Sequence, residues 1–451
     1  MNVIVIGAGL AGLAAAGRLQ SAGHEVCVLE RSARAGGRIG EDVRGDFCLP
    51  RTLECIHAGD QATLDWIRSL GLAGEMLPLR PLQIAQVFEG KASSIDPQSM
   101  GGVATIPGVR FRDAARLLRW SRLMTRYAPL LDPAAPEKAA SLDFRSARDF
   151  ARLYFGSSVY DRWIEPETRD AFGSDGAELS RVATLLTWCA RATGHSASVV
   201  HGLPRRPFSV LADRAAEEIE IRFDLEAVQI DQVSSGGFRI SCQASKGGQG
   251  ELDADAVLIA TSAEEAHRLM GGLKTPAERD YFESLRTESE LILSLGLAAP
   301  PTGLPQRIRF PQSERSPFDC VVLEPGSSNG RAPQGRGVAT IRAAENFTQT
   351  HASTADDVVE KGLISGLERF LPQAAVGIEH AVLHRTTGSR TRFDVGAYRA
   401  LAQFRKVQQD RRAQGRRVYY AGDYLIGPGV EAAVVSAVRA ADDLLADTTT
   451  D

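Results

Sequence analysis

Six residues near the N-terminus constrain this chain more than any others. Gly7-Ala8-Gly9-Leu10-Ala11-Gly12 follows the β-branched run Val3-Ile4-Val5-Ile6 and opens an alanine-rich stretch ending near Gln20. The order predicts strand, tight turn, helix. Gly23 then breaks the helix, and Glu25-Val26-Cys27-Val28-Leu29-Glu30 reads as a second buried strand with an acid at its end. In such a βαβ unit each glycine has its own steric task. Gly7 permits the turn out of the strand, Gly9 lets backbone approach a pyrophosphate, and Gly12 lets the helix lie close on the sheet. The helix N-terminus, at Leu10 and Ala11, offers unpaired N–H groups and partial positive charge to phosphates. Glu30, about 20 residues past the loop, stands where a carboxylate accepts from ribose hydroxyls. A glycine turn of purely structural purpose shares the pattern, but not the full order of strand, loop, helix, second strand and terminal acid.

A chain of 451 residues exceeds one simple core and predicts two or three domains, enough to bury a large cofactor. Hydrophobic residues at 43% and charged residues at 24% exclude a mostly disordered chain. A formal net charge of −4 gives no global reason to expect nucleic acid as a partner. Cys27, Cys48, Cys55, Cys189, Cys242 and Cys320 form no CxxC pair and no metal spacing, so they read as reduced cytosolic thiols, with no metal expected. The N-terminal apolar run lacks a basic leader and is broken by glycines, unlike a signal peptide. No apolar stretch approaches the roughly 20 residues needed to cross a bilayer, and a cytoplasmic protein is expected.

Further along, amphipathic helical patterns predominate from about Pro81 to Val199, including Phe111 to Leu131 and Asp149 to Trp163. Strand-like segments return at Ala227 to Asp231, Phe238 to Cys242 and Ala256 to Ala260, with Gly236-Gly237 as a hairpin turn. Strands and helices mix from about 266 to 404, around a Gly/Pro/Ser/Asn-rich loop at Pro325 to Gly337. Arg417 to Asp423 reads as a strand entering a loop, and Val430 to Leu445 as a closing helix.

Two segments bear on which dinucleotide is held. Glu30-Arg31-Ser32-Ala33-Arg34-Ala35-Gly36-Gly37-Arg38 follows the second strand directly. Ala421-Gly422-Asp423-Tyr424 and Gly427-Pro428-Gly429-Val430-Glu431-Ala432-Ala433 precede and open the last helix. Together they resemble the extended FAD motif and the closing flavin motif of the flavin amine oxidase, protoporphyrinogen oxidase and phytoene desaturase superfamily. The layout is closest to protoporphyrinogen oxidase-like FAD-dependent oxidoreductases, and Asp161 to Thr184 looks most like their helical region.

The resemblance implies an α/β fold. A discontinuous Rossmann-like FAD-binding domain (residues 1–80, 200–265 and 405–451) would carry a helical and substrate-binding insertion (81–199) and a mixed α+β substrate domain (266–404). It implies noncovalent FAD, held by Gly7, Gly9, Leu10, Ala11, Gly12, Glu30 and Arg31 at one end of the chain. Gly36 and Gly37 would bring backbone near the pyrophosphate and Arg38 would add a permanent charge. Were the segment to stand alone, Arg38 would read as a solvated surface cation. Thr52 and Leu53 would line the flavin, Val228 would place its backbone at the adenine, and Ala260 would close the site. Gly422 and Asp423 would meet the ribityl chain, while Val430 and Ala433 would aim the last helix at the flavin pyrimidine edge. The plainer reading makes Gly422-Asp423 a turn and Glu431 a helix N-terminal acid.

The activity implied is removal of a hydride from a C–N or C–C bond of a cyclic or conjugated small molecule, with oxygen or a quinone as acceptor. The alternatives are an amine or amino-acid oxidase, and a flavin-dependent mutase or isomerase. No catalytic side chain stands out. Three departures bear on subclass. Pro50-Arg51-Thr52 replaces the acidic-X-Gly stretch of relatives. Ile426-Gly427-Pro428-Gly429 carries no aromatic beside the closing motif, which weighs against a simple monoamine oxidase. Where relatives carry Trp and Pro, this chain has Thr386 to Gly396, in which Arg390 and Arg392 either meet an anionic substrate or are solvated surface arginines. Finally, Arg112, Arg116, Arg119, Arg122 and Arg126 recur at helical spacing with Leu117, Trp120, Met124 and Tyr127 on another face. That basic amphipathic pattern suits a solvated helix, a peripheral membrane contact, or reception of a lipophilic or carrier-bound substrate.

Overall fold

The computed structural model describes residues 1–76, 80–96, 100–192, 200–202, 208–234, 236–325 and 330–448. The expected junction at 199 and the heart of the loop from Pro325 to Gly337 lie outside the described residues.

The opening strand sits at the centre of a five-stranded parallel sheet. The order is Glu220–Arg222, Glu25–Leu29, Asn2–Ile6, Ala256–Ile259 and Val418–Tyr420. Val3 and Val5 pack on one side with Leu13 of the first helix (Leu10–Ser21) and Val434 of the closing helix (Val430–Thr448). Ile4 and Ile6 point the other way, into a cluster with Ile230 and Ile240. Alternate residues therefore bury on opposite faces, which is why the strand reads as an unbroken apolar run. The second face is covered by a separate antiparallel sheet of Leu225–Gln232, Phe238–Ala244 and Gln249–Ala254. Gly236 and Gly237 adopt φ +83° and +92° between its first two strands, a left-handed geometry suited to glycine.

A seven-stranded sheet forms the other half of the molecule. Its order is Ile378–Arg392, Arg286–Leu297, Gly337–Ala343, Phe318–Pro325, Arg307–Arg309, Ile84–Phe88 and Lys91–Ile95. Two of its strands lie in the stretch expected to be helical from residue 81. Ile84–Phe88 is an apolar run of strand length, turned at Glu89-Gly90 into Lys91–Ile95, and it pairs in parallel with Arg307–Arg309. Leu291, Leu293, Leu295 and Leu297 face Leu363, Leu367 and Phe370 in the core. Glu290 and Ile292, one residue out of phase, face the opposite side, where a cavity lies.

The two long helices expected are each broken. Phe111–Arg116 and Trp120–Tyr127 are joined by a 3₁₀ turn, Leu117–Arg119. The second ends at Tyr154, and Gly156 (φ +99°) turns the chain where a Cβ would collide with the Asp113 carboxylate. Glu165–Phe172 then continues as a new helix after a π turn at Tyr160–Ile164.

Candidate functional site

One cavity of about 1610 Å³ runs from the glycine loop to the seven-stranded sheet. Its volume exceeds the roughly 300–1,000 Å³ of an ordinary small-molecule pocket. At the parallel-sheet end, Gly7 has φ +103°, and a Cβ there would stand 2.7 Å from the Ala260 carbonyl oxygen. A Cβ on Gly12 would collide with the Gly7 carbonyl oxygen, so Gly12 packs the helix on the turn and does not reach the cavity. Gly9 differs: a Cβ there would meet no protein atom within 4 Å. Its Cα instead leaves the cavity wall low. The helix that starts after it has no side-chain cap and no acid in its first turn, so Leu10 and Ala11 present backbone donors at the wall. Gly36 and Gly37, at φ +103° and +58°, fold against this loop, with Gly36 N donating to Ala8 O at 2.8 Å. Glu30 is buried, and its carboxylate accepts from Ala8 N at 2.8 Å and from Ser32 N at 2.9 Å. It thus ties the glycine loop to the segment after the second strand. Arg31 lies exposed at the rim.

The two ends of the chain meet here. Arg38 Nη2 donates to Asp423 Oδ2 at 2.7 Å across 385 residues of sequence. Asp423 holds the guanidinium firmly protonated, above its ordinary pKa, with burial opposing. Arg38 is therefore paired, with about half of its side chain still in solvent. Gly422 is required by space, because a Cβ would strike the Tyr424 ring, and its N–H donates to Ser436 Oγ at 2.8 Å. Val430 and Ala433 place the first turn of the closing helix on the wall. Glu431 does not serve that turn: its carboxylate accepts from Ala62 N at 3.0 Å and Thr63 N at 2.8 Å, capping the helix Gln61–Ser69. Thr52, Leu53 and Ala260 also line the cavity. Val228 does not. The ladder pairs Ala227 with Cys242 and Gln229 with Ser241, leaving Val228 in a bulge whose carbonyl accepts from Arg268, while Leu225 to Ala227 form the wall.

The far end is built from charge. Asp170 accepts from Arg307 Nε at 2.9 Å, from Arg309 Nε at 2.9 Å and from Arg342 Nη2 at 3.4 Å. Burial alone would raise its pKa, but the Arg307 and Arg309 charges overcome that and hold the carboxyl well below the usual range. Arg390 is 13% exposed, pairs with Glu290 at 2.9 Å and lines the cavity. Its Nη1 is buried with no hydrogen-bond partner among the described residues. Arg392 is equally enclosed, yet it pairs with Glu288 at 2.8 Å and Glu178 at 2.9 Å and stands off the cavity. Neither is a solvated surface arginine, and only Arg390 is placed to meet a ligand.

The family model for flavin containing amine oxidoreductase matches residues 10–445. The chain belongs to the flavin-containing amine oxidoreductases. AofH of Mycobacterium tuberculosis, by name a flavin-containing monoamine oxidase, is 26% identical over 295 residues, 62% of this chain and 61% of the relative's length. Coproporphyrinogen III oxidase of Propionibacterium freudenreichii is 26% identical over 185 residues, 41% of this chain and 34% of its own. This chain thus spans less than two thirds of these relatives. In fold, the solved structure of cyclohexylamine oxidase from Brevibacterium oxydans superimposes with a TM-score of 0.75, at 18% identity over 99% of both chains.

The cofactor of this flavin amine oxidoreductase is FAD, and the residues present fit it. The low wall at Gly9, the uncapped first helix and the Arg38 charge suit a pyrophosphate. The sequence missed Asp170, Arg307, Arg309 and Arg342, although Arg307-Ile308-Arg309-Phe310 alternates charge with apolar residues. That period places both arginines on one face, while Ile308 and Phe310 enter the core. It also missed Cys55 on the cavity wall, whose thiol burial pushes up to about 12. A neutral thiol is a poor nucleophile. Among the described residues no group of three His, Cys, Asp or Glu is placed to hold a metal.

Proposed function

We propose that this flavoprotein is an FAD-dependent oxidase or dehydrogenase that removes a hydride from a C–N or C–C bond of a small, carboxylate-bearing molecule. FAD supplies the two-electron acceptor when bound, with oxygen or a quinone as the final oxidant. The observation that carries the reading is the continuity of one cavity from the dinucleotide cradle to Arg390. Arg390 brings a permanent charge to that wall beside Glu290, and a substrate carboxylate there would gain a charge-assisted hydrogen bond. Glu290 holds the other side of the guanidinium, fixing its plane. The apolar wall of Ile84, Ile292 and Phe172 would exclude water around the reacting carbon. This favours a polar, anionic substrate over a purely lipophilic one.

Both a cyclic carboxylate and an amino acid satisfy this chemistry. The similarity to coproporphyrinogen III oxidase supports the first, and the similarity to AofH supports C–N oxidation. Anaerobic mixing of the FAD-loaded protein with each class distinguishes them. Flavin bleaching is expected with carboxylated substrates; aerobic release of ammonia and peroxide marks C–N oxidation, and a new product absorbance marks desaturation. Arg390→Gln is expected to raise KM at least about tenfold, the loss of one charge-assisted pair, without affecting a decarboxylated analogue. Equal turnover of carboxylated and decarboxylated analogues would refute the assignment of Arg390. Turnover that needs prior flavin reduction and consumes no oxidant would replace the oxidase by an isomerase.

A further inference from the structure

The outer face of the segment from Phe111 to Tyr127 takes no part in the cavity. Its inner face is anchored. Leu117, Leu123 and Tyr127 are buried, and Trp120 packs against Trp163 and Trp188 with ring centres 5.3 and 4.1 Å away. Asp113, the one acid of the segment, is turned inward, where it accepts from Ser158 N at 3.1 Å and Ser158 Oγ at 2.7 Å. Outside stand Arg112, Arg119, Arg122 and Arg126, all exposed and none with an ion-pair partner among the described residues. Between them protrude Phe111, 87% exposed, and Leu118, 83% exposed. Leu153, also exposed, lies beside them, its carbonyl accepting from Arg116 Nη2 at 2.9 Å.

A solvated helix face normally intersperses both signs of charge and keeps large apolar groups inward. This face does neither, in a chain whose net charge is −4. We propose that it docks the protein on an anionic lipid surface, with Phe111 and Leu118 entering the headgroup boundary and the arginines meeting phosphates. Phospholipid answers both halves of the face at once: an acidic protein would satisfy the arginines, but two protruding apolar side chains would also need matching recesses. No described helix is long and apolar enough to cross a membrane, so the contact is peripheral.

The test is sedimentation of the FAD-loaded full chain with vesicles of phosphatidylcholine, with and without phosphatidylglycerol. Binding is expected only to the anionic vesicles and is released by salt. Arg119→Glu with Arg122→Glu should lower partition roughly tenfold or more, whereas Arg119→Lys with Arg122→Lys should keep most of it. Phe111→Ser with Leu118→Ser should weaken binding at unchanged charge. All three pairs should retain the flavin absorbance, because the substituted residues lie off the cavity. Absence of binding to anionic vesicles, binding indifferent to charge reversal, or salt-sensitive capture by an acidic protein without vesicle binding would each overturn the proposal.

Discussion

At the parallel-sheet end of the cavity the wall is backbone, shaped by glycines at Gly7, Gly9, Gly36 and Gly37; at the other end it is charged side chains, gathered around Asp170 and Arg390. The first end can be recognised from consecutive residues because geometry there is local. The second is assembled from four strands and a helix, and its stability rests on mutual neutralisation in a dry interior. At Gly7 and Gly12 one end has no room for an added atom, and the other end has no tolerance for an unbalanced charge.

The largest effect is expected where charge balance is broken. Asp170→Ala leaves Arg307, Arg309 and Arg342 without their shared carboxylate and should cost about 3–5 kcal/mol in denaturant unfolding. A loss under about 1 kcal/mol would mean that the arginines do not depend on it. Next comes the glycine end. Gly12→Ala should lose about 1–3 kcal/mol through the collision with Gly7, and with it much of the bound flavin. Gly9→Ala sharpens the contrast: its Cβ meets no protein atom within 4 Å, so apoprotein stability should hold while FAD affinity falls. Equal effects at both positions would erase the distinction between a glycine that serves packing and one that serves the ligand.

Legibility followed the same division. The βαβ unit and the closing motif are runs of adjacent residues, and the sequence placed both on one cavity wall. Val228 stands off the cavity wall because a bulge shifts register there without any mark in composition. The two strands at 84–95 were hidden in a stretch dominated by helical periodicity, since their partner, Arg307–Arg309, lies more than two hundred residues away. Asp170 carried no local signal at all: nothing in Glu165 to Phe172 distinguishes a buried acid from those around it. Only the alternation at Arg307 and Arg309 hinted that charge would share a face.

Two smaller effects complete the series. Arg38→Gln removes a charge-assisted bond at a half-exposed side chain, and about 1.5 kcal/mol, roughly a tenfold weakening of FAD, is expected by fluorescence titration. Asp60, on the cavity wall, has its pKa raised by burial from 3.8 to about 6, with Glu431 and Glu54 adding to the rise and His57 opposing it. Its contribution to stability is full below about pH 4 and is lost as pH rises through about 6. Asp60→Asn should therefore flatten the stability profile across that window while keeping an acceptor for His57 N. An unchanged slope would show that Asp60 ionises in the fold as freely as in the unfolded chain.

The Arg38–Asp423 pair has a consequence for biosynthesis. On the ribosome, the partner of Arg38 emerges only after 385 further residues have been added, and the central strand stays unpaired with Ala256–Ile259 for most of that time. Such distant pairing is slow and leaves apolar strand edges open while translation proceeds. Cofactor capture is then a late event, because the cradle is complete only once the closing strand and helix have emerged.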